Sequence, residues 1–413
     1  IGWIYSFHMP LFYILSGFTF NIDHYKDFKS FLIKKLKTLM IPYYLLCIML
    51  LILTTLFFSE NDIGTFTEGL KAIFIANRLH KYYYSMWFIP SLFFSEILLY
   101  FIIKGIKNKY ALGLLSVLFT AIGYFTFKYI KGFYYSIDTV PIALSFLIFG
   151  YITKSFISKS NRSFRSFIIM IVSFFVNIVS CFGNIYLHNG YSIGIYFGII
   201  LNPVLFYIAA VSGSIFIIYI SLFIKKSFIL EYAGKNSLIF YAFQNAFAIP
   251  LCYMLIEKIS ANLTWLSNSY VALLFSMIVS YIILGLLSEF IRRLMPFVIG
   301  KPYNKHLFKK NKWYSNTLFT DFLRKEGVYL LSKIYTIYVL INSVRVLINS
   351  LHSVSYEMTI LAEESKVETE RFIGLVFCLP RTKKISFTIL SLASSNFITP
   401  ISVIAEVNWF SPR

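Results

Sequence analysis

The sequence predicts an all-α, polytopic membrane protein, and three observations carry that expectation. Only 14% of the residues are charged while 58% are hydrophobic, whereas soluble domains usually carry about 25% charged residues. Apolar stretches of roughly 18 to 22 residues recur, a length that crosses a hydrocarbon core of about 30 Å. The cations between the stretches gather in every second loop, as the positive-inside rule requires.

Nine stretches qualify as spans: Trp3–Phe20, Met40–Phe58, Ser85–Ile103, Tyr110–Phe127, Thr139–Thr153, Ser166–Gly183, Ile200–Ile224, Ser237–Ile256 and Ser269–Ser288. Backbone in lipid must satisfy its own hydrogen bonds, so each is expected to be a helix. The fifth is short, and its Pro141 predicts a kinked or half-buried helix. Loops after odd-numbered spans hold 22 Lys and Arg, against 6 after even-numbered spans. The Lys26–Lys37, Lys104–Lys109, Lys154–Arg165, Lys225–Lys235 and Arg292–Lys312 loops therefore face the cytoplasm. Their placement accounts for most of the net charge of +20. It assigns the basic residues to membrane topology and argues against nucleic acid as a partner.

Residue 1 then falls on the outer side, Trp3 already opens a span, and the first residue is not Met. A further N-terminal span, starting in the cytoplasm, is expected upstream. Residues 1–313 form the membrane unit. In residues 314–413, ten Lys or Arg nearly balance eight acids; there, Val328–Asn349 suits an interfacial helix and Ile385–Ile404 a weak tenth span or a packed soluble element. A fused segment or a gene-model artefact explains this tail as well as a domain does.

The cysteines, Cys47, Cys181, Cys252 and Cys378, show no CxxC or metal spacing, so no metal is expected. There is no GxxxxGK[ST], HExxH or GxSxG, which leaves nucleotide hydrolysis, zinc proteolysis and serine-hydrolase chemistry without support.

Ionisable groups inside a membrane are costly and so stand out. Glu96 is the one carboxylate well inside a span; it reads either as a functional group or as a hydrogen-bonded structural one. His8 lies near the outer end of the first span. It can act as a general base towards a hydroxyl, or it can bridge helices at the interface. Ser16-Gly17, read alone, is a helix-packing pair.

Several segments together resemble acyltransferase family 3, membrane proteins that O-acylate cell-surface and capsular carbohydrates. Phe7-His8-Met9-Pro10-Leu11-Phe12-Tyr13-Ile14-Leu15-Ser16-Gly17-Phe18 is similar, almost letter for letter, to the family's "FHMPLFFxxSG" stretch. Lys34-Lys35-Leu36-Lys37 with Ile41-Pro42-Tyr43 resembles its basic loop and "PY" entry. Trp87-Phe88-Ile89-Pro90-Ser91-Leu92-Phe93 resembles "WFLxxLF", and Gly234-Lys235-Asn236-Ser237-Leu238 with Tyr241 resembles "GxNSLxIY". The likeness covers about residues 1–300. It departs from the family in two places. The family's Arg or Lys followed eleven residues later by His would lie before Ile1, and Gln244 stands where members often have His. Gln hydrogen-bonds but takes no proton at neutral pH, so the chain as given is expected to be inactive if nothing supplies that pair.

The resemblance implies transfer of an acyl group, acetyl from acetyl-CoA, to a hydroxyl of a carbohydrate, free or lipid-linked, at a bacterial cytoplasmic membrane. It implies His8 as a second base or orienting group with Glu96 as its polar partner. Ser16, Gly17, Trp87 and Gln244 would line the substrate site. Lys34, Lys35, Lys37, Arg162 and Arg165 would attract the phosphates of coenzyme A, although topology alone also explains them. Two other classes stay open: a transporter or flippase of a lipid-linked sugar, against which the lack of repeat symmetry counts, and a non-catalytic membrane fragment.

Overall fold

The computed structural model describes residues 2–58, 66–76, 78, 86–130, 132–158, 160–188, 194–224, 228–260 and 269–300. The expectations for residues 314–413, and Cys378 with them, lie outside the described residues. Among the described residues there is no β-strand, only an isolated antiparallel bridge between Gly194 and Ile199.

The helices run in chain order as α1 Gly2–Tyr5, α2 His8–Thr19, α3 Phe28–Lys35, α4 Ile41–Phe57, α5 Phe66–Ile75, α6 Phe88–Gly105 and α7 Lys109–Tyr129. They continue as α8 Val140–Ile157, α9 Phe164–Tyr186, α10 Pro203–Phe223, α11 Phe228–Lys235, α12 Ser237–Phe243, α13 Ile249–Ser260 and α14 Ser269–Leu294. Eight helices among the described residues are long and apolar enough to cross a membrane. They match the second to ninth predicted spans, so the protein is an all-α polytopic bundle.

The first predicted span is not one helix. It breaks at Ser6-Phe7 between α1 and α2. Pro10 explains the break. A helical proline has no N–H, and its ring crowds the carbonyl four residues back, here that of Ser6. Placed in the first turn of α2, it needs no donor, and the Ser6 hydroxyl instead donates to Trp3 O at 2.7 Å. Pro90, Pro141 and Pro203 likewise fall in the first turns of α6, α8 and α10. Pro141 therefore opens α8; the fifth span kinks just before it, at Tyr135 and Ser136 (φ 53° each), and is largely buried, as its sequence led one to expect.

Two prolines lie where the chain stays helical, and each follows a π turn. Leu36–Met40 joins α3 to α4 just before Pro42, and Gln244–Ala248 joins α12 to α13 just before Pro250. A wider turn makes room for the missing donor. One consequence corrects the predicted map: Lys34, Lys35 and Lys37 stand on a 30-residue helix, Phe28–Phe57, not in a loop. Asp27 caps its start, accepting from Ser30 N at 2.8 Å, and this hydrogen bond holds its carboxyl below the usual carboxylate range.

Helix α9 reverses the pattern of a soluble protein's surface helix. On α9 the buried residues include Ser166, Ser173, Asn177, Ser180 and Asn184, while Phe167, Ile171, Phe175, Val179 and Phe182 are exposed. The polar residues recur at helical spacing, so they form one inward face and the apolar residues an outward one. Only lipid makes that pattern stable. At the centre lies α8, whose residues Ile142–Ile148 are all buried. It meets α2 at backbone contact: a Cβ on Gly17 would stand 1.9 Å from Leu147 O, and one on Gly150 2.0 Å from Ile14 O.

Candidate functional site

The buried polar side chains around α2, α6 and the start of α8 form three groups, from the lysine-rich, inner end of the bundle to the opposite, outer end. The innermost joins three helices. Ser16 of α2 donates to Glu96 Oε1 on α6 at 2.8 Å, and Lys35 Nζ of α3 lies 2.7 Å from Glu96 Oε2. Glu96 is buried, while Ser16 and Lys35 are half-buried. An ionised carboxylate away from water needs a counter-charge and hydrogen-bond donors, and this one has both. The rings of Phe20 and Phe31 stand 6.0 and 5.9 Å from the ammonium. Lys154 of α8 donates to Phe20 O at 3.3 Å, bringing a second cation to the same end.

The middle group is uncharged. Tyr13 OH and Ser91 Oγ lie 2.8 Å apart, Ser91 Oγ and Thr139 Oγ1 2.6 Å apart, and Thr139 donates to Ser136 O at 2.6 Å.

The outer group was not anticipated. Arg78, counted above among the loop cations, is fully buried and pairs with Asp138 at 2.5 Å, both side chains inaccessible to solvent. Gly132 N donates to the same carboxylate at 3.1 Å, and the guanidinium stacks 5.3 Å from the Phe127 ring. Arg78 also donates to Tyr196 O, which fastens residues 194–199 over the bundle end. Gly198, at φ +65°, leaves the guanidinium room: a Cβ there would stand 3.1 Å from Nη2. The outer segment is further held by Asn184 Nδ2, donating to Ile200 O and Asn202 O at 3.2 and 3.3 Å. The sequence signal was faint. Asp138 abuts an apolar span and Arg78 is one of few outer cations, but nothing in the chain order pairs residues 60 positions apart.

His8 lies at the outer end of α2, buried, with Nδ1 3.0 Å from Ile4 O and its ring edge-on to Tyr5 at 5.2 Å. A carbonyl only accepts, so the neutral ring carries its proton on Nδ1 and has Nε2 as its acceptor nitrogen. Eight residues separate His8 from Ser16, about 12 Å of helix rise. The structure thus does not bring His8 and Glu96 together; Glu96 meets Ser16 and Lys35 instead.

Trp87 is buried at the start of α6, its ring 6.2 Å from that of Tyr196. Gln244, also buried, opens the second π turn. Gly17 faces the Leu147 carbonyl, so its place is a helix contact. Of the five cations, Lys34 lies 4.9 Å over the Tyr25 ring, and Lys37 and Arg165 are exposed. Arg162 donates to Phe223 O at 2.7 Å. Only Lys35 turns inward. Among the described residues no three His, Cys, Asp or Glu side chains cluster as a metal site would require.

Residues 3–285 match the family model for the acyltransferase domain of acyltransferase family 3. The chain belongs to acyltransferase family 3. No curated protein and no solved structure gives a match. As a family 3 acyltransferase, the protein is an acyl-transferring enzyme built into a membrane, and the match ends within α14. The stretch Phe7–Phe18, the basic run Lys34–Lys37 and the Trp87–Phe93 segment all lie within the matched residues. In three dimensions these three segments converge: the first supplies Ser16, the second Lys35, and the third opens the helix that carries Glu96.

Proposed function

We propose that this acyltransferase moves an acetyl group from acetyl-CoA to a hydroxyl of a cell-surface carbohydrate, at a bacterial cytoplasmic membrane. The observation that carries the reading is the family match over residues 3–285, together with the near letter-for-letter Phe7–Phe18 stretch that carries both His8 and Ser16. Acetyl-CoA supplies an activated thioester, and the acceptor supplies a hydroxyl that must lose its proton. His8, with its proton on Nδ1, offers Nε2 to that hydroxyl as base or orienting acceptor. Trp87 and Gln244 line the acceptor's side of the site, with Ser16 in its wall. Glu96 acts as a polar partner within it. The cations Lys34, Lys35, Lys37, Arg162 and Arg165 draw the donor's phosphates to the cytoplasmic end.

The donor fits the side of the bundle where the cations are. Lys37, Arg162 and Arg165 are exposed there, and exposed cations attract a polyanion without first breaking a buried pair. The outer end holds His8, Trp87 and the clasped 194–199 segment, a setting suited to an uncharged polyol.

The test uses membranes from cells expressing the protein, supplied with acetyl-labelled acetyl-CoA and surface polysaccharide. Alkali-labile label is expected in the polysaccharide, and none with membranes lacking the protein. His8→Ala is expected to lower transfer at least about tenfold, the low end of what a positioned base contributes. Label that never reaches carbohydrate would contradict the acceptor class, and unchanged transfer in the variant would remove His8 from the site.

A further inference from the structure

We infer that Glu96 is a positioning residue: it draws the Lys35 ammonium off the cytoplasmic surface and holds it inside the bundle, where Lys35 meets the acyl donor. This deepens the reading above and rests on its donor. The first support is selectivity among neighbours. Lys34, Lys35 and Lys37 occupy one short stretch of helix, yet of the three only Lys35 reaches a carboxylate among the described residues; Lys34 covers the Tyr25 ring and Lys37 is exposed. A lysine at a helix end normally extends its ammonium towards water, so its inward turn needs a cause, and Glu96 is that cause.

The second support is how Glu96 is used. Its two oxygens are each engaged, one by the Ser16 hydroxyl at 2.8 Å and the other by Lys35 at 2.7 Å. Acting as the general base for the acceptor hydroxyl is ruled out by reach, since His8 and the outer end lie about 12 Å away along α2. What such a carboxylate does well is fix a cation.

The third support is the setting. The pair itself is neutral, and Lys154 at Phe20 O brings a second cation to the same end. Lys35 and Ser16 are half-buried whereas Glu96 is buried, so the pair meets a ligand through its cation. The π turn begins at Leu36, the very next residue, and such turns re-aim side chains within an otherwise regular helix.

The experiment measures acetyl-CoA binding by equilibrium dialysis on the purified protein, alongside steady-state acetyl transfer. Glu96→Gln and Lys35→Met are each expected to weaken acetyl-CoA binding and raise its KM about tenfold, the value of one charge-assisted contact. The kcat should stay within about threefold, as expected for lost binding rather than lost chemistry. The double variant Lys35→Met/Glu96→Gln, which leaves no lone buried charge, is expected to fold by size-exclusion chromatography and to bind no more weakly than either single. Lys35→Arg is expected to restore most of the affinity. A fall in kcat for Glu96→Gln with unchanged acetyl-CoA affinity would overturn the inference and place Glu96 in the chemistry. Wild-type protein that transfers acetyl while neither variant alters binding overturns the inference alone. Wild-type protein that neither binds acetyl-CoA nor transfers acetyl overturns the proposed function with it.

Discussion

Arg78 and Asp138 show how a membrane protein places charge where lipid forbids it. Each is inaccessible, and each has its partner within hydrogen-bond reach. Removing one member of a buried pair strands the other, which costs about 3–5 kcal/mol, whereas removing both is far milder. Arg78→Met is therefore expected to destabilise the detergent-solubilised protein by that amount in denaturant unfolding, and Arg78→Met/Asp138→Leu by clearly less. Equal losses would mean that the pair is not coupled. Gly17 makes the steric counterpart of this argument. With Leu147 O only 1.9 Å from where a Cβ would stand, Gly17→Ala must push α2 off α8. Overpacking of this kind costs about 1–3 kcal/mol, and thermal unfolding is expected to show a loss of at least that size. An unchanged unfolding temperature would place the two helices further apart than described.

Single helices show both how far hydropathy carries and where it stops. The spans from Met40 to Ser288 were legible because each is a long apolar run with at most one charge, Glu96, and length and charge alone decide whether such a run crosses lipid. The first span was misread for a reason also present in the chain, since Pro10 crowds the Ser6 carbonyl and hydropathy does not register a backbone clash. By charge alone Lys34–Lys37 reads as a loop; Asp27 and Ser30 instead start a helix there. The polar groups of the site were half legible. Glu96, Ser16 and Lys35 were each singled out, but their meeting was not, because chain order says nothing about partners 80 positions apart. Arg78 with Asp138 was missed outright for the same reason. Helix α10 offers a test at this scale. Asn202 caps it, accepting from Val204 N and Leu205 N at 3.0 and 3.1 Å, and a lost cap of this type costs about 1 kcal/mol. Asn202→Ala is expected to lower stability by that amount without altering the size-exclusion profile; no change would show that Asn184 alone holds the helix start.

Taken whole, the molecule has two unlike ends joined by a polar seam. Its inner end collects cations and turns one of them, Lys35, towards Glu96. The outer end locks its only described buried arginine under a clasped segment and holds His8 against Ile4. Family membership makes the whole an acyltransferase, and the proposed function brings the donor to one end and the acceptor to the other. That assignment requires the helices to pass back and forth through lipid with the basic residues on one face. Single cysteines at Lys37, Leu187 and Arg293, placed in a background without the native cysteines, test this with a membrane-impermeant maleimide. In right-side-out vesicles Leu187→Cys is expected to label, while Lys37→Cys and Arg293→Cys label only after the membrane is opened. Labelling of positions 37 and 293 from opposite faces would contradict the arrangement on which the account rests.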